Sequence, residues 1–475
     1  MQSLLGHFWP KRVRAKTFLY IGLISLIFAP AAHAASGGPD GNGFVLSLLW
    51  LAIILIAAKL ASMIENYGQS AVLGELVIGV VLGNLALIGI NLLEPIKSDP
   101  LIPHFAEIGV IILLFQVGLE SNIAEMRKVG MRAFLVAIIG VVAPFALGAW
   151  IVGPWLLPDL SSNAYLFIGA ALTATSVGIT ARVFKDLGKI KIPEAKIVLG
   201  AAVIDDVVGL VILAVVSALV TAGSISAGTI GFIFGKSLLF LVGAIVLGHY
   251  TAPYFGRFLS KVHTGVGMKF TLAIGFALVF AAGAGLIGLA PIVGAFAAGL
   301  VLDPVHFKYF RRPQVARDLE EHLEHVSEEG KEKILKLAER HSHKHVEDLI
   351  EPIAMFFVPI FFVYTGMSVN LATLLDPRTL LVGGAITIVA FLGKWVSGLV
   401  AGNVNKNLVG FGMVPRGEVG LIFATIGKSL GVINDEVFSI IIIMVILTTL
   451  LTPPILSHLL KKYQDKPGEA QPQAA

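Results

Sequence analysis

The chain has 475 residues, of which 56% are hydrophobic and only 14% are charged. A mean hydropathy of +0.86 excludes an ordinary soluble globular protein, and the lack of cysteine excludes disulfides and thiolate chemistry. The formal net charge of +4 comes from basic loops and gives little support to nucleic-acid binding. Apolar stretches long enough to cross about 30 Å of hydrocarbon recur along the sequence. They do not alternate as β-barrel strands would, so they predict an all-α polytopic membrane protein.

The first 34 residues have the pattern of a cleaved export signal. Basic residues precede an apolar run from Thr17 to Phe28, and the small residues of Ala32-His33-Ala34 follow it. An uncleaved first membrane helix is the alternative interpretation. Cleavage would leave the N-terminus of the mature chain in the periplasm.

Thirteen candidate spans follow, and an odd number of crossings places the two termini on opposite sides. The loops expected in the cytoplasm hold most of the Lys and Arg residues, whereas the outer loops hold only Lys97, Arg378 and Lys428. This bias predicts a cytoplasmic tail at 461–475 and insertion in a bacterial inner membrane. The expected spans are 44–66, 70–91, 104–120, 132–157, 163–186, 194–222, 227–250, 267–286, 289–303, 350–372, 378–402, 406–430 and 434–460.

Two pairs of segments, each separated by seven spans, resemble each other. Gly74–Gly79 in the second span resembles Gly294–Gly299 in the ninth. Gly118–Asn122 in the third span likewise resembles Gly366–Asn370 in the tenth. Because seven is odd, the copies cross the membrane in opposite directions, which predicts two inverted repeats. The expected divisions are 44–222 for the first repeat, 227–250 for a linker helix and 267–460 for the second repeat, within a membrane domain of 44–460.

The fifth and twelfth spans occupy equivalent places in the two repeats, and both have sequences that favour a broken helix. Thr173–Thr180 is crowded with hydroxyl and β-branched residues, and Pro415–Gly420 combines proline, glycine and charge. Discontinuous helices that cross near the midplane are typical of transporter sites. The alternative is that the hydroxyls bond back to helix carbonyls and that the proline only kinks its helix.

Asp205 and Asp206 are adjacent in the middle of the sixth span, with apolar sequence on both sides. Ionisable residues inside a span are functional candidates because hydrocarbon tolerates them only beside a cavity or a partner. Desolvation and mutual repulsion disfavour two negative charges here, so such a pair can exchange a proton for a cation. The alternative is a structural role, in which both carboxylates pair with buried cations.

Three further charges lie inside spans of the second repeat. Lys394 is the natural counter-ion of the aspartates, although a lysine that reaches the headgroups is the alternative. Arg416 and Glu418 lie two residues apart within the twelfth-span break, where a structural role is favoured. They could neutralise the ends of the half-helices or pair with charges from other spans.

The segment 304–350 is the one soluble-looking insertion and is expected in the cytoplasm. Its histidines could sense pH or bind a metal, but a solvated helix that connects the repeats is the favoured interpretation. These histidines are His322, His325, His341, His343 and His345.

Residues 44–460 resemble the monovalent cation:proton antiporter-2 family of bacterial Na+/H+ and K+/H+ exchangers. The motifs that carry the resemblance are Thr173–Thr180, Ile204–Val207, Lys394 and Val414–Gly420. The resemblance implies thirteen helices, a dimerisation domain, a mobile core and a homodimer in the membrane lipids. The Asp-Asp pair resembles the electrogenic branch, whereas relatives with Gln-Asp resemble K+ efflux systems.

The resemblance also implies roles for particular residues. Asp206 would be the principal carrier of the transported Na+ and of protons, and Asp205 would pair with Lys394. The other implied roles are cation contact for Thr175 and Ser176 and stabilisation of the helix crossing by Arg416 and Glu418.

These observations predict a transporter, with no enzymatic activity and no cofactor, that exchanges Na+ or Li+ for protons by alternating access. A K+/H+ exchanger and a passive cation channel remain as alternatives. An intramembrane aspartyl protease is disfavoured because neighbours on one helix point about 100° apart, whereas its dyad must converge. Relatives often end in a nucleotide-binding regulatory domain, which is not expected here because the chain ends soon after its last span.

Overall fold

A computed structural model describes residues 42–67, 69–120, 130–186, 189–190, 192–222, 227–302, 310 and 328–464. Across these ranges the chain is helical and contains no β-strand. The expected signal peptide at 1–34 and the tail beyond Gln464 lie outside the described residues. So do several basic loop residues and the part of the histidine-rich segment that contains His322 and His325.

The helices of the first half are α1 (Asn42–Ala61), α2 (Ala71–Gly83), α3 (Ile102–Glu120), α4 (Met131–Ala146), α5 (Ser162–Ala171), α6 (Val177–Asp186) and α7 (Pro193–Ala222). A π-helical turn at Leu147–Val152 and a short helix at Gly153–Leu156 continue α4. The later helices are α8 (Ala227–Val262), α9 (Val266–Leu286), α10 (Pro291–Val301), α11 (Glu328–Met367), α12 (Pro377–Trp395), α13 (Lys406–Gly412), α14 (Glu418–Ser429) and α15 (Asp435–Gln464).

Within the described residues, nine helical stretches are long and apolar enough to cross a membrane. The apolar helices α2 and α10 are shorter, and the fifth and twelfth expected spans each consist of two half-helices. Every one of the thirteen expected spans therefore coincides with helix. The prediction of an all-helical, multi-pass membrane protein is confirmed.

The ends of some spans differ from those expected. The second span stops at Gly83 because Asn84 donates from its side-chain nitrogen to the Val80 carbonyl at 2.8 Å, and a turn with Gly89 at φ +83° follows. Conversely, α8 continues to Val262 and α11 begins at Glu328. Apolar composition marks where the hydrocarbon ends, whereas a helix continues into water wherever its sequence permits.

The helices pack as two sets. Most of the packing occurs within each set, and between them α7 contacts α8 and α10. We call the first set the panel, which consists of α1, α2, α3, α8, α9, α10 and α11. We call the second set the bundle, which consists of α4, α5, α6, α7, α12, α13, α14 and α15.

Packing within the panel has the symmetry that the two predicted repeats require. The repeats make α2 equivalent to α10 and α3 equivalent to α11. A contact between α2 and α11 should therefore have a counterpart between α10 and α3. Both contacts are present. The shared motifs of the sequence thus lie at equivalent places in two related helix pairs.

Glycines make these helix contacts possible, and they lie at equivalent positions in the two repeats. A Cβ added at Gly79 would lie 3.0 Å from the Gly366 Cα, and one added at Gly118 would lie 3.0 Å from the Gly299 Cα. Each added Cβ would also overlap the carbonyl oxygen of the residue three positions before its partner, so only glycine fits. In lipid, the hydrophobic effect contributes little to helix association, so helices associate tightly through close packing of their backbones.

Replacing Gly118 with Ala should therefore lower the stability of the protein by about 1–3 kcal/mol, because the added methyl forces α3 away from α10. Thermal unfolding in detergent, followed by size-exclusion chromatography, measures the change. Gly275→Ala is the control, because no atom lies within 4 Å of a Cβ added at that helical position. Equal melting temperatures for the two variants would contradict the close packing.

Candidate functional site

Both expected helix breaks are present. Helix α5 ends at Ala171 and α6 begins at Val177, while α13 ends at Gly412 and α14 begins at Glu418. The residues between each pair of half-helices are extended or in turns, so they leave backbone carbonyls and amides without helical partners. In hydrocarbon such groups must be satisfied within the protein.

The two broken segments satisfy each other by crossing. Residues of the fifth span donate to carbonyl oxygens at the end of α13 and in the break that follows it. These hydrogen bonds are Thr180 Oγ1 to the Gly412 oxygen at 2.7 Å, the Ser176 amide to the Pro415 oxygen at 2.8 Å, and Thr175 Oγ1 to the Met413 oxygen at 3.1 Å. The hydroxyl-rich sequence that predicted the break therefore supplies the donors that hold it.

Arg416 lies in the second break and is fully buried. Its guanidinium donates to the carbonyl oxygen of Ala174 in the first break and to that of Ala390 on α12. Its own carbonyl accepts a hydrogen bond from Thr449 on α15. Its Nε has no partner among the described residues. Arg416 thus joins both breaks to two continuous helices.

Asp205 and Lys394 form a buried ion pair between α7 and α12. The Lys394 Nζ lies 2.9 Å from Oδ1 and 3.0 Å from Oδ2 of Asp205, and neither side chain is accessible to solvent. The Thr175 side chain lies close to the Asp205 carboxylate, while its hydroxyl donates to the Met413 carbonyl oxygen. Lys394 therefore points inward, and the alternative of a lysine that reaches the headgroups is excluded in this structure.

Asp206 has a different environment, although it is the next residue on α7. Its side chain is 7% exposed, and no hydrogen bond or ion pair to any described residue holds it. The charges that act on it most strongly are the carboxylates of Asp205 and Glu418, followed by the Lys394 ammonium. Asp206 is thus an almost buried carboxyl group without a partner among the described residues, in surroundings that attract a cation.

Glu418 and Arg416 both bridge the crossing, but by separate contacts rather than as an ion pair with each other. Ser176 Oγ donates to Glu418 Oε2 at 3.4 Å, so Glu418 holds the first break to the start of α14. An acidic residue in the first turn also complements the positive end of this half-helix. Ser176 accordingly lies beside Glu418, and Thr175 lies beside Asp205.

Two residues near the site escaped the sequence analysis. Glu120, at the end of α3, is a further carboxylate that acts on Asp206. Its position within the shared motif Gly118–Asn122 was a signal that could have identified it. Thr449 bonds to the Arg416 carbonyl, but a threonine in an apolar helix gives no such signal.

Geometry and fold together define the class of the protein. Two crossed, discontinuous helices place a carboxyl group that has no partner in the described part of the chain beside a buried ion pair, near the middle of a multi-pass helical membrane protein. The described residues contain no group of three or more His, Asp or Glu that could hold a resident metal ion. These are the features of an ion-coupled membrane transporter.

Comparison with known proteins identifies the family. Residues 49–462 match the family described as "Sodium/hydrogen exchanger, transmembrane", and the chain belongs to this family. It is 34% identical to the high-affinity Na(+)/H(+) antiporter NhaS3 of Synechocystis, over 86% of this chain and 88% of that protein. It is 31% identical to the Na(+)/H(+)-K(+) antiporter GerN of Bacillus cereus, over 86% of this chain and 95% of that protein.

A solved structure shares the fold. The sodium proton antiporter MjNhaP1 of Methanocaldococcus jannaschii, determined at pH 8, matches 89% of this chain and 100% of its own with a TM-score of 0.62. The two chains are 18% identical, so this likeness concerns the fold alone.

The buried ion pair should dominate the stability of the site. Asp205→Asn or Lys394→Met alone leaves one buried charge without its partner, which should lower the free energy of unfolding by about 3–5 kcal/mol. The double variant should lose much less than the sum of the single effects. Thermal unfolding of the purified variants provides this double-mutant cycle.

Lys97→Met serves as the comparison, because the Lys97–Glu94 pair is more than one-third exposed on both sides and should change stability by at most about 1 kcal/mol. Additive effects of the two buried substitutions would contradict a direct pair.

Proposed function

We propose that the protein exchanges Na+ for protons across the bacterial inner membrane and that Asp206 carries both. The observation that supports this most is the contrast between two neighbouring carboxyl groups. Lys394 neutralises Asp205, whereas no residue that the structure describes pairs with Asp206, which has further carboxylates nearby. A cation and a proton would compete for it, and this competition couples their movements.

Thr175 and Ser176 are proposed to line the cation position, because the crossing brings them to Asp205 and Glu418. Hydroxyl and carboxylate oxygens are suitable ligands for a hard monovalent cation. Arg416 is proposed to fix the crossing, because its guanidinium bonds to carbonyl oxygens on two different helices.

Charge counting gives this proposal a stoichiometry. With protons bound and no Na+ present, Asp206 is neutral and the charges of Asp205 and Lys394 cancel, so the site has no net charge. When Na+ displaces a proton from Asp206 and another from Lys394, the three protein groups sum to minus two, and the bound Na+ brings the site to minus one. Two protons would then exchange for one Na+, and each cycle would move one net charge. A membrane potential supplies about 2.3 kcal/mol per 100 mV for that charge.

A K+/H+ exchanger is the second candidate. The Bacillus relative is named for Na+, H+ and K+, and it shares 31% identity with this chain. Carboxylate and hydroxyl oxygens bind both cations, so the residue types of the site favour neither strongly. A passive channel is disfavoured, because Asp206 would then have no need to exchange a proton.

An orientation is proposed from the loop charges, and an assembly is proposed from the family resemblance. The loop charges support a periplasmic N-terminus and a cytoplasmic C-terminus for the mature chain. The panel, which is the half of the protein without the crossed helices, is the proposed surface for a homodimer. The bundle would then be the part that moves during alternating access.

Asp206→Asn should abolish exchange, because an amide cannot release a proton to a cation. Dequenching of a ΔpH-sensitive dye in inverted membrane vesicles, after additions of Na+, Li+ or K+, measures exchange and ranks the cations. Asp159→Asn, which alters an exposed aspartate, should retain wild-type exchange. Full activity in the Asp206 variant would remove this residue as the carrier, and a larger response to K+ would select the second candidate.

Exchange should also depend on membrane potential. In proteoliposomes at fixed ion gradients, the net positive charge of each cycle moves with the protons, in the direction opposite to Na+. A potential that is positive on the side that Na+ moves toward should therefore accelerate Na+ movement, and the opposite potential should slow it. A rate that is the same at both signs of a 100 mV potential would refute the charge count.

A further inference from the structure

The panel and the bundle meet along a seam between α11 and α14. Helix α11 belongs to the panel, and α14 is the half-helix that begins at Glu418 beside the site. From Glu418 to Lys428, near the end of α14, the distance is about 15 Å along the helix axis. The seam therefore extends from the neighbourhood of Asp206 to one surface of the protein. The loop charges place this end, where α11 and α14 both finish, in the periplasm.

Two polar contacts close this seam. The Thr365 and Thr425 hydroxyl oxygens are 3.5 Å apart. One turn further out, Lys428 Nζ donates to the backbone carbonyl oxygen of Ser368 at 2.8 Å. Both pairs are separated by 60 residues, so α11 and α14 run parallel in one fixed register. The two contacts therefore lie about one helical turn apart along the interface between the panel and the bundle.

Lys428 has further contacts within the bundle. Its ammonium lies 2.8 Å from Asp435 Oδ1 at the start of α15 and 4.5 Å from the centre of the Phe438 ring. A lysine in the last turn of a helix is often explained by the helix dipole alone. That explanation accounts for the contacts within the bundle, but it does not require the bond to Ser368, which lies on the panel.

We propose that Lys428 is a latch that holds the periplasmic side of the site closed. Its backbone belongs to α14 of the bundle, and its ammonium, which also contacts Asp435 and Phe438, is held by a carbonyl at the end of a panel helix. The bundle cannot move away from the panel at this end until the ammonium leaves the Ser368 carbonyl. Lys428 thus sets how often Asp206 becomes accessible from the periplasm, which is the step that alternating access requires. The latch extends the proposed function, because it concerns access to the same site.

The absence of cysteine from the sequence makes a direct test simple. Thr365→Cys places one thiol inside the seam at a position that is only 1% exposed, where a charged, membrane-impermeant methanethiosulfonate reagent reaches it only when the seam opens. In right-side-out vesicles, the labelling rate of this variant should rise roughly tenfold when Lys428→Met is added, because a bond from a charged donor is lost. Lys428→Arg keeps a charged donor and should leave the rate close to that of Thr365→Cys alone.

Two controls separate the latch from simpler effects. Lys97→Met removes one positive charge from the same end of the protein without affecting the seam, and it should not change labelling. Asp435→Asn removes the ion pair within the bundle but leaves the Ser368 acceptor, and it too should not open the seam. Equal labelling with and without Lys428, or faster labelling in the Asp435 variant, would overturn the proposal.

The test remains decisive under two complications. If the Met variant does not fold, Lys428→Gln, which is shorter and uncharged, replaces it with the same expected direction. Labelling requires no transported ion, so a failure of Na+/H+ exchange would contradict the proposed function without changing this result. An unchanged labelling rate in a protein that exchanges Na+ normally would contradict the latch alone.

Discussion

Asp205 and Asp206 occupy the middle of a helix surrounded by apolar side chains, where two negative charges without compensation would be very costly. Among the residues that the structure describes, only one of them has a compensating charge. The Lys394 Nζ reaches Asp205 from α12 and lies within 3.0 Å of both carboxylate oxygens, whereas the neighbouring Asp206 has no such partner in the same part of the chain. Much of the surrounding architecture is explained by this asymmetry. It leaves one carboxyl group whose charge must be balanced by something mobile.

The helix breaks are the second consequence of placing charge in hydrocarbon. Interrupting α5–α6 and α13–α14 frees backbone groups that lipid cannot satisfy. The crossing pairs these groups with one another, while Arg416 binds carbonyl oxygens of Ala174 and Ala390. Polar backbone and hydroxyl groups thereby come next to the aspartates without exposure to lipid. A cation that loses its hydration shell would find oxygen atoms already in position there.

Division of the helices into a panel and a bundle would give this site a means of access in the proposed mechanism. Glycine contacts such as Gly118 against Gly299 bring backbones together within the panel. Along the α11–α14 seam between the panel and the bundle, the polar contacts described above involve side-chain hydroxyl and ammonium groups. Water can replace the partners of such groups. A seam of this kind can open without disturbing the tightly packed helices on either side of it.

Sequence alone was sufficient for the elements whose signal is local. Apolar length identified the spans, and the hydroxyl-rich and proline-containing segments identified the two breaks, because both depend on neighbouring residues. The repeat was visible because close helix contacts demand glycine at matching positions. Lys394 could be proposed as the counter-ion of the aspartates because an ionisable group inside a span needs a partner.

Other features could not be obtained in this way. The acceptors of Arg416 are backbone oxygens of alanines, and every residue has such an oxygen. Lys428 was expected only as a charge in an outer loop, because its bond to the Ser368 carbonyl depends on how two distant helices pack. Helix ends beyond the apolar runs, as in α8 and α11, also lack a compositional signal.

The most direct test of the central claim is proton release on cation binding. Purified protein in weakly buffered detergent solution should release close to two protons for each Na+ bound, as measured with a pH-sensitive dye, and Asp206→Asn should release none. Na+ binding that releases no protons, or that releases the same number from the Asp206 variant, would show that cation and proton do not compete at this carboxyl group.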